Sequence, residues 1–239
     1  MSRVRIPSLA PVISHKVNAS QLFQLPEDLP FGNCFLPDAA PWVWVARIAE
    51  ALESFDFRSQ HGKPRDLPAG VFVGARVFLH PSVRLPPYCV LQGPAYIGAG
   101  SEIRPGAFIR ENVIAGRNCV LGNSCEYKNC LLLEAVESAH FNYIGDSVLG
   151  RGAHLGAGSI LANLRFNKGP VDAHTDQGRV PTGLRKLGAM IGEEAQVGCN
   201  AVLQPGTIIG KNGNVMPGSS YGGYLPEGTV APVRAPPGD

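Results

Sequence analysis

The chain has 239 residues, 44% of them hydrophobic and 17% charged, with a formal net charge of +2. That length suits one large domain or one domain with an appendage. The near-neutral charge, without a basic run, gives no basis for non-specific nucleic-acid binding. Glycine (29) and proline (21) exceed a fifth of the chain, just short of low-complexity usage. Aliphatic residues are interleaved with them throughout, so a turn-rich, repetitive β architecture fits better than disorder.

The opening "MSRVRIPSLAPVISHKV" lacks an apolar signal core, and no apolar run approaches membrane-spanning length. A soluble cytoplasmic protein, without a membrane or nucleic-acid partner, is the expectation. In "PDAAPWVWVARIAEALESFDF" the apolar residues Trp42, Val45, Ile48, Leu52 and Phe55 have helical spacing. Asp38 is placed to cap that helix, and Pro41 suits its first turn. The tryptophans are read as core or interface anchors. "HGKPRDLPAG" then reads as a linker. Residues 1–70 are thus expected to form a helical and irregular cap over the open end of a repetitive region that starts at 71.

From Val73 a period of six begins. Leu79, Leu85, Leu91, Ile97, Ile103 and Ile109 keep it, then Ala115, Leu121, Tyr127 and Leu133. Four places on in each hexad the residue is small or β-branched, as at Val77, Cys89, Ala95, Ser101, Cys119 and Cys125, and glycine often comes next. Two coupled series of this kind describe a triangular solenoid, a parallel β-helix with three short strands per coil, over residues 71–220. Aliphatic residues point inward, small ones fit near corners, and glycine supplies turn conformations closed to other side chains. Cys89, Cys119 and Cys125 are therefore core residues. The six cysteines contain no CxxC pair and no zinc-ligand spacing, so reduced thiols are expected.

The rhythm stumbles once, in "ESAHFNYIGD". The series reaches Ala139 on schedule and resumes at Ile144 one residue early, bending a turn outward beside His140. It then runs through Leu149, Leu155 and Leu161 and lapses over 163–190. It returns at Ile191, Val197, Leu203, Ile209 and Val215. The lapse reads as an excursion, with a hairpin, from a coil edge. Residues 221–239 read as a C-terminal tail.

"HFNYIGD", with "GNSCEYKN" ahead of it and "LGAGSILANLRFNKG" after it, resembles the acetyltransferase domain of bifunctional amino-sugar-1-phosphate acetyltransferase/nucleotidyltransferases. The likeness covers about residues 73–225 and is most specific in "HxxYxGD" followed by "GAGxxxxN". It implies an all-β, left-handed parallel β-helix of hexapeptide repeats, assembled as a homotrimer with sites between subunits. It also implies an acetyl-coenzyme A-dependent N-acyltransferase acting on an amino sugar or its phosphate, with no metal in the site.

Carried over residue by residue, the resemblance makes His140 the general base and Tyr143 a contact to the acceptor sugar. Asn163 positions the acceptor or, like a backbone amide, serves the oxyanion. Lys128 and either Arg104 or Arg110 seat a phosphate, and Lys168 lies about where an acceptor-contacting lysine belongs. Ala157, Cys199 and Pro217 line the acetyl-coenzyme A groove through their backbones. Asp146 either shapes its turn or orients His140, and His154 contacts that neighbourhood or the coenzyme. These residue types suit the chemistry: a histidine of unperturbed pKa near 6.5 can take the attacking group's proton, and Arg with Lys makes a fork and a point charge for phosphate. The family's glycine-rich nucleotidyltransferase signature is not found, so nucleotidyl transfer is not expected. O-acetyl transfer and a non-catalytic trimeric sugar-nucleotide-binding scaffold are the alternatives. A third is a γ-carbonic-anhydrase-like metal enzyme, which needs two histidines five apart. His140 and His154 are fourteen apart.

Overall fold

Three parallel sheets wrap around one aliphatic core in the computed structural model, which describes residues 17–58 and 66–231. The first sixteen residues, half of the expected linker and the end of the expected tail lie outside the described residues. The first face has eight strands, from Phe72–Val73 to Ser220–Tyr221. The second has eight, from Val77–Leu79 to Tyr224–Leu225, and the third six, from Glu102–Ile103 to Asn214–Val215. The solenoid thus runs past residue 220, where the coils were expected to stop. A bridge joins Asn214 to Val230, and Ala231 still lies in the core. No helix among the described residues is long and apolar enough to cross a membrane.

Each strand pairs with its counterpart one coil on. Val90 pairs with Phe108 and Phe108 with Glu126, eighteen residues apart. Glu126 pairs with Tyr143 and Tyr143 with Ile160, seventeen apart. The inward ladder of the first face is Leu91, Ile109, Tyr127, Ile144, Leu161 and Leu203, all fully buried. Small residues fill the corners as expected. Cys89, Cys119 and Cys125 are buried core thiols, and burial pushes Cys119 up to about 12 and Cys89 to about 11.

The stumble is not where the hexad count put it. From Phe108 to Ile114 the corner between the first and second faces takes six steps, but the equivalent passages Glu126 to Leu131 and Tyr143 to Val148 take five. The missing residues fall at Asn129 and Asp146, which take positive φ of 45° and 50°, a conformation that short polar side chains tolerate. Between these corners the coil is regular. Its inward residues are Leu132 and Ser138, not Leu133 and Ala139. The count went astray because Leu132 and Leu133 are both buried, one inside the solenoid and one under the layer outside it. At Ser138 the core becomes polar: the Tyr127 hydroxyl lies 2.5 Å from Ser138 Oγ and accepts the Gly122 N–H at 2.9 Å.

The N-terminal segment lies along the outer side of the second face, where the sequence suggested the open end. Helix α1 (Pro41–Ser54) buries Trp44, Val45, Ile48 and Leu52 with Ile114, Leu131, Val148 and Met190. Trp44, rather than Trp42, is the deep anchor. Its ring sits 5.4 Å from Phe23 and 5.4 Å from Phe35, and its Nε1–H donates to Leu36 O at 2.9 Å. The helix starts with Pro41 at its first position after Ala40, which has no capping side chain, so Asp38 does not cap it. The excursion leaves between the first and second faces and holds the antiparallel hairpin Asp172–Thr175 and Gly178–Pro181. Trp44→Ala removes a fully buried aromatic and is expected to cost about 3–5 kcal/mol, measured as a lower midpoint in denaturant unfolding. A cost under about 1 kcal/mol would show that this layer contributes little to the fold.

Candidate active site

The strand Tyr143–Gly145 on the first face has a corner at each end, and the two corners gather different groups. At the leading corner, where the third face turns into the first, backbone hydrogen bonds tie successive coils together. Phe141 N–H donates to Asn123 O at 2.9 Å and Gly158 N–H to His140 O at 3.0 Å. Asn200 N–H donates to Ala157 O at 2.8 Å and Gly218 N–H to Cys199 O at 2.8 Å. Asn123, His140, Ala157, Cys199 and Pro217 therefore form one column of corner residues on successive coils. The structure brings His140 together with Ala157, Cys199 and Pro217 in that column. His140 is exposed, and its imidazole makes no hydrogen bond among the described residues. Cys199 is exposed too.

Asn142 holds this corner. Only 2% exposed, it occupies a position that holds Ala107, Cys125, Ser159 and Ala201 on other coils. Its Nδ2 donates to Gly156 O at 2.8 Å, and its backbone N–H reaches Cys125 Sγ at 3.2 Å. The coil carrying His140 is thereby bonded to the coil carrying Ala157 and to the one before. The hexad count alone does not single out Asn142, since a small residue is the rule there.

At the trailing corner the Asp146 carboxylate, 5% exposed, is the hub. It accepts from Asn129 Nδ2 at 2.9 Å and from Asn163 Nδ2 at 2.5 Å, with Lys128 Nζ at 3.9 Å. Asn163 Nδ2 also donates to the Tyr143 hydroxyl at 3.1 Å. A Cβ on Gly145 would come within 2.6 Å of both Asn163 Nδ2 and the Tyr143 hydroxyl, so only glycine permits that approach. Burial raises the Tyr143 pKa, so the phenol keeps its proton at neutral pH. Asp146 does not orient His140; it serves the opposite corner.

Because Ile109, Tyr127 and Ile144 point inward, Arg110, Lys128 and Tyr143 project from the outer side of the first face on successive coils. Arg110 pairs with Glu126 at 2.7 Å and Glu111 at 3.5 Å, and Lys128 lies 3.8 Å from Glu111. Arg110, Lys128, Tyr143 and Asn163 thus come together on this face. Arg104 stays on the third face, paired with Glu102 at 2.9 Å. Lys168 is exposed in the opening turn of the excursion, with φ of 57° and no ion pair among the described residues. His154 pairs with Glu137 at 3.2 Å on the third face. Sequence reasoning missed Glu111, Glu126 and Asn129. The equivalence of Asn129 with Asp146 emerges only once both short corners are placed. Among the described residues no group of three or more His, Cys, Asp or Glu is positioned to hold a metal ion.

Residues 91–171 match the family model of the GMPPB C-terminal domain. Over 94 residues the chain is 37% identical to a bifunctional sugar-1-phosphate nucleotidylyltransferase/acetyltransferase of Sulfurisphaera tokodaii, a match covering 39% of this chain and 23% of that protein. It is 32% identical over 132 residues to the bifunctional protein GlmU of Methanocaldococcus jannaschii, covering 55% and 26%. The chain thus spans about a quarter of the length of these relatives. A weaker likeness links it to PerB of Caulobacter crescentus, solved in complex with CoA and GDP-perosamine. There the TM-score is 0.28 and the identity 18%, over 68% of this chain and 54% of that one. By sequence, this part of the chain is similar to GlmU-type bifunctional sugar-1-phosphate nucleotidylyltransferase/acetyltransferases, the resemblance that the motifs around His140 carry.

Proposed function

We propose that the protein is an acyl-coenzyme A-dependent N-acyltransferase, using acetyl-coenzyme A on an amino sugar or amino-sugar phosphate, with His140 as general base. The observation that carries this reading is the leading column. An exposed imidazole, unpaired among the described residues, shares it with Ala157, Cys199 and Pro217, and Tyr143 opens the adjoining strand with Asn163 bonded to its hydroxyl.

In the proposed reaction the acceptor nitrogen attacks the thioester carbonyl. A C–N bond forms and the C–S bond breaks. The proton released from nitrogen passes to the His140 imidazole and then to the departing thiolate, which leaves as the free thiol. Both N–H groups of the Asn163 carboxamide are spent on Asp146 and Tyr143. Its Oδ1 remains to accept from the acceptor, so Asn163 positions rather than serving as an oxyanion donor. The Tyr143 oxygen accepts that bond, which leaves its own O–H to donate to a sugar oxygen.

The charges on the first face bear on the acceptor. Arg110 and Lys128 are matched by Glu111, Glu126 and Asp146, two cations against three carboxylates. This balance favours binding of the acceptor amine in its protonated form, which gives up one proton to solvent before it attacks; the second proton, released as the amide forms, is the one His140 takes. A phosphate seated on Arg110 and Lys128 has to displace part of their pairing with Glu111 and Glu126. Arg104, held apart on Glu102, has no part in that seat. Homotrimeric assembly belongs to the same proposal, since Phe72 and Val90 stand exposed on the first face.

Thiol release from acetyl-coenzyme A with amino sugars and amino-sugar 1-phosphates tests the reaction. His140→Ala is expected to lower kcat/KM by about 10²–10⁴-fold, and an unchanged rate in an otherwise active protein removes His140 from the chemistry. Cys199, exposed in the column, is expected to be the first of the coil cysteines to react with iodoacetamide, and saturating coenzyme A should slow that reaction several-fold. Mass spectrometry of the labelled peptide reads this, and an unaffected rate rules out the column as the donor groove. Light scattering should give a homotrimer; a monomeric mass contradicts the assembly.

A further inference from the structure

A groove of about 690 Å³ opens between the excursion and the outer side of the first face, one to three coils beyond Tyr143. Its volume falls in the range of small-molecule and cofactor sites. None of His140, Tyr143, Asn163 and Cys199 lines it.

The groove is built rather than incidental. In the hairpin, Ala173 is buried with Ile208 while Asp172 and His174, on either side of it, line the groove. The hairpin sits hard against the solenoid. His174 N–H donates to Gly206 O at 2.9 Å, and a Cβ on Gly206 would fall 2.0 Å from Asp172 O. Opposite His174 stands Arg179, which has no ion pair among the described residues. Arg165, on the facing wall, lies 3.8 Å from Asp172 and donates to Pro170 O at 2.8 Å. Two guanidinium groups therefore face one carboxylate. Burial, and then Arg179, hold the His174 imidazole below its ordinary pKa, so it adds no charge at neutral pH. The apolar surfaces are Val202 on the floor and Leu164 and Phe166 on the wall, all exposed.

A surplus of guanidinium beside exposed apolar surface calls for a ligand with both an anionic and a flat apolar part. A bare phosphate leaves most of this volume empty, and a sugar offers no such ring. We propose that the groove binds the phosphate-bearing end of a nucleotide, with Arg179 and Arg165 meeting the phosphate and Phe166, Leu164 and Val202 covering the base. The inference rests on the acyl-transfer reading for the ligand's source. Two sources share this chemistry: the phosphorylated adenosine end of the acyl donor, and a nucleoside diphosphate carrying the acceptor sugar.

Calorimetry on the full chain tests it, with 3′,5′-ADP, UDP and GDP titrated separately and inorganic phosphate as a charge-only probe. At least one nucleotide is expected to bind, and the tightest identifies the source. Arg179→Ala should weaken it about tenfold or more, with unfolding temperature unchanged because Arg179 is exposed. His140→Ala should bind it as the wild type does. The proposal is overturned if no nucleotide binds, if Arg179→Ala and Arg165→Ala both bind undiminished, or if phosphate alone binds as tightly as the nucleotides. Binding through Arg179 without any acetyl transfer refutes the proposed reaction and leaves the groove standing. Transfer without such binding does the reverse.

Discussion

Everything in this molecule hangs on main-chain pairing between successive coils. The strands of the solenoid are two to four residues long, too short to persist alone. They are held by parallel neighbours above and below, at about 4.8 Å. Whatever stands at one position of a coil is therefore stacked on the same position of the next. Aliphatic residues form continuous inward ladders, and corner residues distant in sequence become neighbours. His140 and Cys199 share a column for that reason alone, with no contact between their side chains required to bring them there.

The candidate site exploits departures from the rule. Shortening two successive corners by one residue, at Asn129 and Asp146, draws in the turn between the first and second faces. There a nearly buried carboxylate collects Asn129, Asn163 and Lys128. The next coil, where a third such corner would fall, instead releases the excursion that starts at Asn163. Asp146 thus couples the regular coils to the excursion, and Asn163 passes that constraint on to Tyr143. Across the strand, Asn142 does for the leading corner what Asp146 does for the trailing one. Buried polar groups of this kind are worth keeping only when fully bonded, and both are.

The period of six made the solenoid, its inward ladders and the excursion legible from composition and spacing. The breaks were harder. A leucine run at 131–133, in which all three side chains are buried, hides its register because side chains facing the core and side chains facing the N-terminal layer look alike in sequence. The true slips, at Asn129 and Asp146, carry no hydrophobic signal. Likewise, nothing in residues 17–57 states which surface they cover. The match between Trp44 and the outer residues of the second face exists only after folding. For the site, motif resemblance pointed to His140, Tyr143 and Asn163, while the choice between Arg104 and Arg110 needed the faces to be assigned. Arg110 shares a face with Lys128, and Arg104 does not. The carboxylates beside Arg110 and Lys128 went unseen because acidic residues at solenoid turns are common and mostly solvated.

A stack of near-identical coils has an inherent ambiguity: a chain folding from many local starts could seat one coil on the wrong neighbour with small loss of apolar contact. Tyr127 and Ser138 remove that freedom in the middle of the stack. The Tyr127 hydroxyl meets Ser138 within its own coil and the Gly122 N–H on the coil before, so the full set forms only when these two coils are seated on each other. Seating the Tyr127 coil on any other neighbour leaves the buried Gly122 N–H without its acceptor, at a cost of about 1–3 kcal/mol. The pair acts as an index mark on a ruler of otherwise interchangeable divisions. Its serine lies on the strand Glu137–His140, which ends in the histidine whose alignment with later coils the proposed chemistry requires.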